Sequence, residues 1–199
     1  MSKKIDLQLI QELRARTGLG MMDCRKALEE VNGDIEKAID VLRKKGAAVA
    51  AKRAGKSTSE GLVHAYIHPG SQIGVLVELN CETDFVARTD ELRNFANDLC
   101  LQIAAYKPVY LAPADVDPAL VARETDVIQA QMANSGKPAN VIAGIVQGKL
   151  NKLYSEICLI KQPYLRDEKK TIEECVQELI AKTGENIAIR RFARYEVGV

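Results

Sequence analysis

The 199-residue sequence lacks the features by which several classes of protein are recognised. Its 28 lysines and arginines nearly balance its 27 acidic residues, and a net charge of +1 gives no basic excess for binding nucleic acid or a membrane surface. No apolar run approaches the ~20 residues that span a bilayer, and the first residues, MSKKIDLQ, have no hydrophobic signal core. We therefore expect a cytoplasmic protein that contacts neither nucleic acid nor membrane directly.

The cysteines and histidines offer neither a disulfide framework nor a metal site. The five cysteines are scattered, odd in number and without a CxxC pair: Cys24, Cys81, Cys100, Cys158 and Cys175. Buried thiols are the expected outcome. His64 and His68 share one face of a predicted strand, but no cysteine or carboxylate stands at metal-ligand spacing to them. No metal site is predicted.

A nucleotide-binding loop and a catalytic constellation are also missing. The sequence contains neither G-x-x-x-x-G-K-[ST] nor G-x-G-x-x-G, and the GKST at 55–58 lacks the preceding glycine and does not follow a strand. No set of nucleophile, base or metal ligands is present. We expect no cofactor and no enzymatic activity, which leaves partner binding as the favoured function.

Three short amphipathic helices are predicted between Ile5 and Lys45. Apolar residues recur in each at helical spacing, and turns at Gly18 and Gly33 separate them. The stretch GAAVAAKRAGKST that follows is rich in alanine, glycine and lysine, and we interpret it as a linker with a helical start. The prediction is a three-helix domain over residues 1–54, which includes the start of the linker.

The remainder, residues 55–199, is predicted to form an α+β core domain. GLVHAYIH and QIGVLVELNC alternate in polarity around the turn residues 69–71, which is typical of an antiparallel hairpin, and NIAIRRFARYEV near the end would add a third strand. Helix-start signals stand at Thr89 or Asp90, and at Asp117, Pro138 and Thr171. The second of these helices runs toward Asn134. A three-stranded antiparallel sheet packed by helices is the expected core.

One stretch, VELNCETDFVAR at Val77–Arg88, leaves a strand at an acidic, hydroxyl-bearing corner. It presents Asp84 and Phe85 before a helix, and the residues leave two interpretations open. Asp84 could cap the helix above a core Phe85. Alternatively, an aromatic ring beside a carboxylate on this turn could insert into a partner.

Two adjacent methionines, Met21 and Met22, open the second helix. They lie ~100° apart around a helix, so both cannot face the core. A flexible thioether left on the surface would suit partner recognition. Core and contact roles stay open for each, and His68 at the hairpin end is a further candidate contact.

Two long, unusual motifs resemble the bacterial-type elongation factor Ts family. LRARTGLGMMDCRKAL, Leu13–Leu28, is similar to the family's N-terminal motif, with Arg25 where the family usually has lysine; ELNCETDFVAR, Glu78–Arg88, is similar to its core motif. The segments GKLNKLYSE, QPYLRDEKKTI and NIAIRRFARYEVG extend the resemblance over essentially the whole chain. It implies a helical N-terminal domain similar to a ubiquitin-associated domain, followed by an α/β core.

The resemblance also implies guanine nucleotide exchange on elongation factor Tu, in its GDP-bound and nucleotide-free forms. The family residues that act on the partner correspond here to Thr83, Asp84, Phe85 and Val86. Phe85 would enter a slot between partner helices beside a polar contact from Asp84, which can at the same time cap the turn. This would displace the elements that support Mg²⁺ and phosphate binding.

The resemblance further places Arg14, Met21 and Met22 against the partner's GTPase domain. The chain resembles the short form of the family, whose members pair their cores, so a homodimer through the core domain and a two-plus-two complex with elongation factor Tu are expected. The alternative is a passive or chaperone-like module that binds a partner without altering its nucleotide.

Overall fold

The structure is a computed structural model that describes residues 5–133 and 135–199. Expectations for the first four residues and for Asn134 therefore lie outside the described residues. The helices are α1 (Leu7–Thr17), α2 (Met21–Glu30), α3 (Ile35–Arg53), α4 (Asp84–Ala87), α5 (Asp90–Tyr106), α6 (Pro118–Met132), α7 (Ala139–Ile157) and α8 (Ile172–Thr183). The strands are β1 (Glu60–Ile67), β2 (Ile73–Cys81), β3 (Pro163–Tyr164), β4 (Asp167–Thr171) and β5 (Ile187–Glu196).

The chain divides into two compact units. The first comprises Met1–Leu62, Leu79–Arg93 and Glu174–Ala188, and the second comprises Val63–Glu78, Asn94–Glu173 and Ile189–Val199. The predicted boundary between residues 54 and 55 stays a prediction.

In the first unit, α1 and α2 lie where the sequence predicts, and α3 begins at Ile35, directly after the predicted cap Asp34. The Asp34 carboxylate accepts a hydrogen bond from the backbone N–H of Lys37 at 3.1 Å and caps α3. Gly18 follows α1 with φ of 70°, the left-handed conformation that glycine tolerates best. The helices share one apolar core, made of Ile10, Leu13, Cys24, Ala27, Leu28, Ala38 and Leu42.

The helical start expected for the linker extends over residues 46–53, because α3 continues to Arg53. Alanine is the strongest helix former, and this stretch is rich in it. Gly46 and Ala50 are buried, and a Cβ added at Gly46 would stand 3.3 Å from the Cβ of Ala181 in α8. Small residues that resembled a flexible linker therefore allow close helix packing.

Strands β1, β2 and β5 form the predicted three-stranded antiparallel sheet, in the order β1-β2-β5. The hairpin between β1 and β2 is closed by a 2.9 Å hydrogen bond that the His68 N–H donates to the Ile73 carbonyl. Alternation in β2 buries Val75, Val77, Leu79 and Cys81. The fold class predicted from the sequence is confirmed.

A second, two-stranded sheet of β3 and β4 in the second unit was not predicted. Two fully buried glutamines hold it. The Gln102 amide group donates to Gln162 Oε1 at 3.2 Å and to the Pro163 carbonyl at 3.1 Å, and its Oε1 accepts from the Leu165 N–H at 2.8 Å. Gln162 donates in turn to the Glu156 carbonyl at 2.9 Å. Each buried amide is thus satisfied, as burial requires.

All five cysteines are buried, as predicted. Burial raises the pKa of the Cys100 thiol to about 11, because the thiolate would lose its hydration. The same cause raises the pKa of Cys158. These thiols are therefore protonated at neutral pH and suited to packing rather than to chemistry.

Candidate functional site

The segment Thr83–Val86, which we call the tip, follows β2 and contains the start of the four-residue helix α4. Its Phe85 side chain is 81% exposed. Val86 and Ala87 are buried and anchor the other side of the turn. The interpretation of Phe85 as a core residue is therefore wrong. A large ring held in solvent by a packed turn is typical of a contact residue.

Thr83 caps α4. Its backbone is extended, with φ of −128° and ψ of 156°, and its hydroxyl oxygen accepts from the Val86 N–H at 3.4 Å. Asp84 is the first residue of the helix, where its carboxylate pairs with the Arg88 guanidinium at 2.9 Å. Of the roles left open for Asp84, the cap is taken by Thr83 instead, and the half-exposed Asp84 carboxylate turns toward Arg88.

Two carboxylates fix the tip to the segment between α8 and β5 in a reciprocal manner. Glu185 accepts from Thr83 twice, from the backbone N–H at 3.1 Å and from the hydroxyl at 2.6 Å. Glu82, next to Thr83, accepts from the backbone N–H of Asn186 at 2.6 Å. Glu185 thus binds Thr83, the neighbour of Glu82, and Glu82 binds Asn186, the neighbour of Glu185. Sequence reasoning did not include Glu185 among the tip residues.

Glu82 also connects the tip to the helical part of the first unit. Its carboxylate pairs with the Arg53 guanidinium at the end of α3, at 3.3 Å. The Asn186 side chain donates to the Lys56 carbonyl at 2.9 Å. Glu82 and Asn186 are therefore each held by a contact to the chain at the end of α3 or just after it.

Cys81, the last residue of β2, also contacts the tip. Its Sγ donates to the Thr83 carbonyl at 3.1 Å. Burial first, and the negative charge of Glu185 second, raise the pKa of the Cys81 thiol. Its thiol proton is therefore retained at neutral pH, as this hydrogen bond requires.

The predicted contact residues of the helical part lie on α1 and α2. Arg14 is exposed in the last turn of α1. Met22 is 61% exposed, whereas Met21 is partly buried against the helical core. The two methionines thus divide between surface and core, as their ~100° separation predicts.

His68 lies in the second unit, at the turn after β1, and is exposed. Its Nδ1 stands 3.0 Å from the Tyr66 hydroxyl. Within residues 5–133 and 135–199, no group of three or more His, Cys, Asp and Glu side chains could hold a metal ion. None of the helices in that part of the chain is long and apolar enough to cross a membrane.

A family model described as Elongation factor TS matches residues 21–199. The chain belongs to the elongation factor Ts family. Elongation factor Ts of Caldanaerobacter subterraneus subsp. tengcongensis is 59% identical over 194 residues, which cover 98% of this chain and 97% of the relative. Elongation factor Ts of Thermoanaerobacter sp. (strain X514) is 57% identical over 98% of this chain and 95% of its own length. Elongation factor Ts of Carboxydothermus hydrogenoformans is 55% identical over 98% of this chain and 89% of its own length. The resemblance carried by the two motifs is confirmed.

Proposed function

We propose that this chain is a guanine nucleotide exchange factor that binds GDP-bound elongation factor Tu in the cytoplasm and promotes GDP release. Membership of the elongation factor Ts family supports the partner and the activity. The observation that carries the proposal is the exposed Phe85 on an anchored turn. Such a residue can enter a partner without rearrangement of its own chain, which lowers the entropic cost of binding.

Exchange requires differential binding rather than bond chemistry. A GTPase holds GDP through phosphate contacts and Mg²⁺. A factor that binds the nucleotide-free form more tightly than the GDP form must, by linkage, weaken GDP binding by the same factor. A rigid apolar wedge that displaces partner elements supporting Mg²⁺ or the phosphates would provide this difference.

The four residues of the tip have different roles in this proposal. Phe85 enters an apolar slot of the partner, and Asp84 makes a polar contact beside it after exchanging its exposed pairing with Arg88. Thr83 and Val86 hold the turn, since one caps it and the other is buried beneath it. His68 is a further contact to the same partner.

Stopped-flow release of fluorescent GDP from elongation factor Tu tests this function. We expect the release rate to rise with the concentration of the wild-type chain and to saturate. The alternative, a passive or chaperone-like module, predicts binding with an unchanged release rate. Complex formation by light scattering together with unaltered GDP release would overturn the proposal in favour of that alternative.

Arg14, Met21 and Met22 are proposed to form a second contact, with the GTPase domain of elongation factor Tu. Met22→Ala should raise the half-saturating concentration for exchange about fivefold, the effect of losing ~1 kcal/mol at an interface, and leave the maximal rate near that of wild type. Leu7→Ala is the matched control, because Leu7 is 58% exposed on α1 and has no proposed role. Equal values for both variants would contradict the contact.

We also propose that the core forms a homodimer, and that two chains assemble with two elongation factor Tu molecules. The outer face of the sheet in the second unit supports this, because Val63, Ile67 and Leu76 are 69%, 63% and 45% exposed. A Cβ added at Gly74 would stand 3.2 Å from Ile67 Cδ1, so the Ile67 side chain of β1 lies over Gly74 of β2. Contiguous exposed apolar residues on a sheet mark an interaction surface.

Leu76→Glu should convert the dimer to a monomer, because a charge at the centre of an apolar interface loses its hydration without gaining a partner. Light-scattering mass at several concentrations measures the effect. Val127→Glu is the matched control, since Val127 is equally exposed at 45% but lies on α6. A dimer that survives Leu76→Glu would place the pairing surface elsewhere.

A further inference from the structure

We infer that Glu185 is a positioning residue for nucleotide exchange: its carboxylate holds Thr83 so that the tip presents Phe85 to the partner. This inference rests on the proposed function, because presentation of Phe85 matters only if Phe85 is the wedge. Glu185 lies 102 residues after Thr83 in the sequence and carries both of its oxygens to that one residue.

The double contact fixes the direction of the Thr83 hydroxyl. A threonine hydroxyl has one proton to donate and two lone pairs that accept. The proton is committed to Glu185 Oε1 at 2.6 Å, so the oxygen faces the Val86 N–H, at 3.4 Å, as an acceptor. Glu185 thereby selects the hydroxyl orientation that caps α4. Bonds to an ionised acceptor are stronger than neutral ones, which makes this selection effective.

The segment that carries Glu185 is itself held in place. The Glu185 N–H donates to the Thr183 hydroxyl at 3.3 Å, and the next N–H, of Asn186, donates to Glu82 at 2.6 Å. The pairing of Glu82 with Arg53 completes the arrangement. Glu185 therefore acts from a fixed support rather than from a free loop end.

A four-residue helix such as α4 depends on such support, because isolated short helices are unstable in water. Without Glu185, the turn would spend part of its time in conformations that do not present Phe85. The efficiency of the wedge then falls in proportion to the fraction of competent molecules. Contacts made outside the tip would be unaffected.

Stopped-flow GDP release with Glu185→Ala tests the inference. We expect the maximal release rate to fall about tenfold, the range reached when a charged hydrogen-bond acceptor is lost, with less than a twofold change in the half-saturating concentration. Glu185→Gln should be intermediate, because its amide oxygen can still accept from the Thr83 hydroxyl while its NH₂ cannot accept from the backbone. Glu168→Ala, at an exposed glutamate of β4, should match wild type.

A double-mutant cycle with Phe85→Ala separates positioning from general structure. If Glu185 acts through Phe85, Glu185→Ala should cause less than a twofold further loss in the Phe85→Ala background. An equal loss in both backgrounds would overturn the inference. So would a Glu185→Ala rate equal to that of Glu168→Ala.

Amide hydrogen exchange on the chain alone gives a readout independent of the partner. In Glu185→Ala, the Thr83 and Val86 amides should exchange at least about tenfold faster, while amides of the β2 core should not change. Unchanged protection at Thr83 and Val86 would overturn the inference. If the wild-type chain leaves GDP release unaltered, the proposed function is contradicted. If the wild-type chain is active and both Glu185→Ala and Glu185→Gln are fully active, only this inference is contradicted.

Discussion

Phe85→Ala is expected to slow GDP release from elongation factor Tu about thirtyfold. Truncation of an aromatic anchor that is buried at an interface costs ~2 kcal/mol or more, and each 1.4 kcal/mol corresponds to about a factor of ten. The fold should stay intact, since the ring is 81% exposed in the chain alone and contributes little to its core. Stopped-flow release at saturating factor measures the loss.

Phe85→Leu and Val109→Ala are the controls for this prediction. Leucine keeps apolar volume at the tip and should retain part of the exchange activity. Val109 is 66% exposed and has no proposed role, so its truncation should leave the release rate unchanged. A Phe85→Ala rate equal to that of Val109→Ala would exclude Phe85 as the wedge.

Gly61→Ala is expected to destabilise the fold by about 3 kcal/mol or more, combining backbone strain with overpacking. Gly61 lies in β1 with φ of +152°, a conformation that residues with a side chain rarely adopt. An added Cβ would stand 2.1 Å from the Leu79 carbonyl oxygen and 2.8 Å from the Asn80 Cα. Both neighbours are backbone atoms, so the strands must separate to accommodate it.

Gly144→Ala is the matched control for that substitution. Gly144 is exposed in α7 with nothing within 4 Å of its added Cβ. Alanine there should stabilise the helix by roughly 0.5–1 kcal/mol, because glycine is the poorer helix former. Urea unfolding of the two variants should thus shift in opposite directions, and a shift in the same direction would contradict the proposed role of Gly61.

The regular elements could be predicted because their signals are local. Alternating polarity in β2 predicted its buried face, and the caps at Gly18 and Asp34 predicted the ends of the first helices. The two-residue strand β3 is too short to produce an alternating pattern, and the hairpin it forms depends on Gln102 and Gln162. These glutamines contact each other across 60 residues of sequence, so no local pattern could indicate them.

The site was predictable only in part. Phe85 is the second residue of a four-residue helix, which is too short for a periodic pattern to show whether its ring faces the core or solvent. The residues alone therefore left both interpretations of Phe85 open. The family resemblance favoured the exposed one. The contribution of Glu185 could not be anticipated, since it depends on tertiary contacts between segments 102 residues apart. The end of α3 was also not predictable, because the small residues after Lys45 are typical of a linker as well as of a packed helix. The close approach of Gly46 to Ala181 depends on tertiary packing.

Multiple turnover is the measurement that most directly distinguishes an exchange factor from a passive partner. Elongation factor Tu loaded with fluorescent GDP is mixed with excess unlabelled GDP and about one hundredth as much of this chain, and loss of bound label is followed to completion. An exchange factor should empty the whole population many times faster than spontaneous release, with a rate proportional to the amount of chain. Release that proceeds at the spontaneous rate, or that accelerates only for an amount of elongation factor Tu equal to the chain added, would contradict the proposed function.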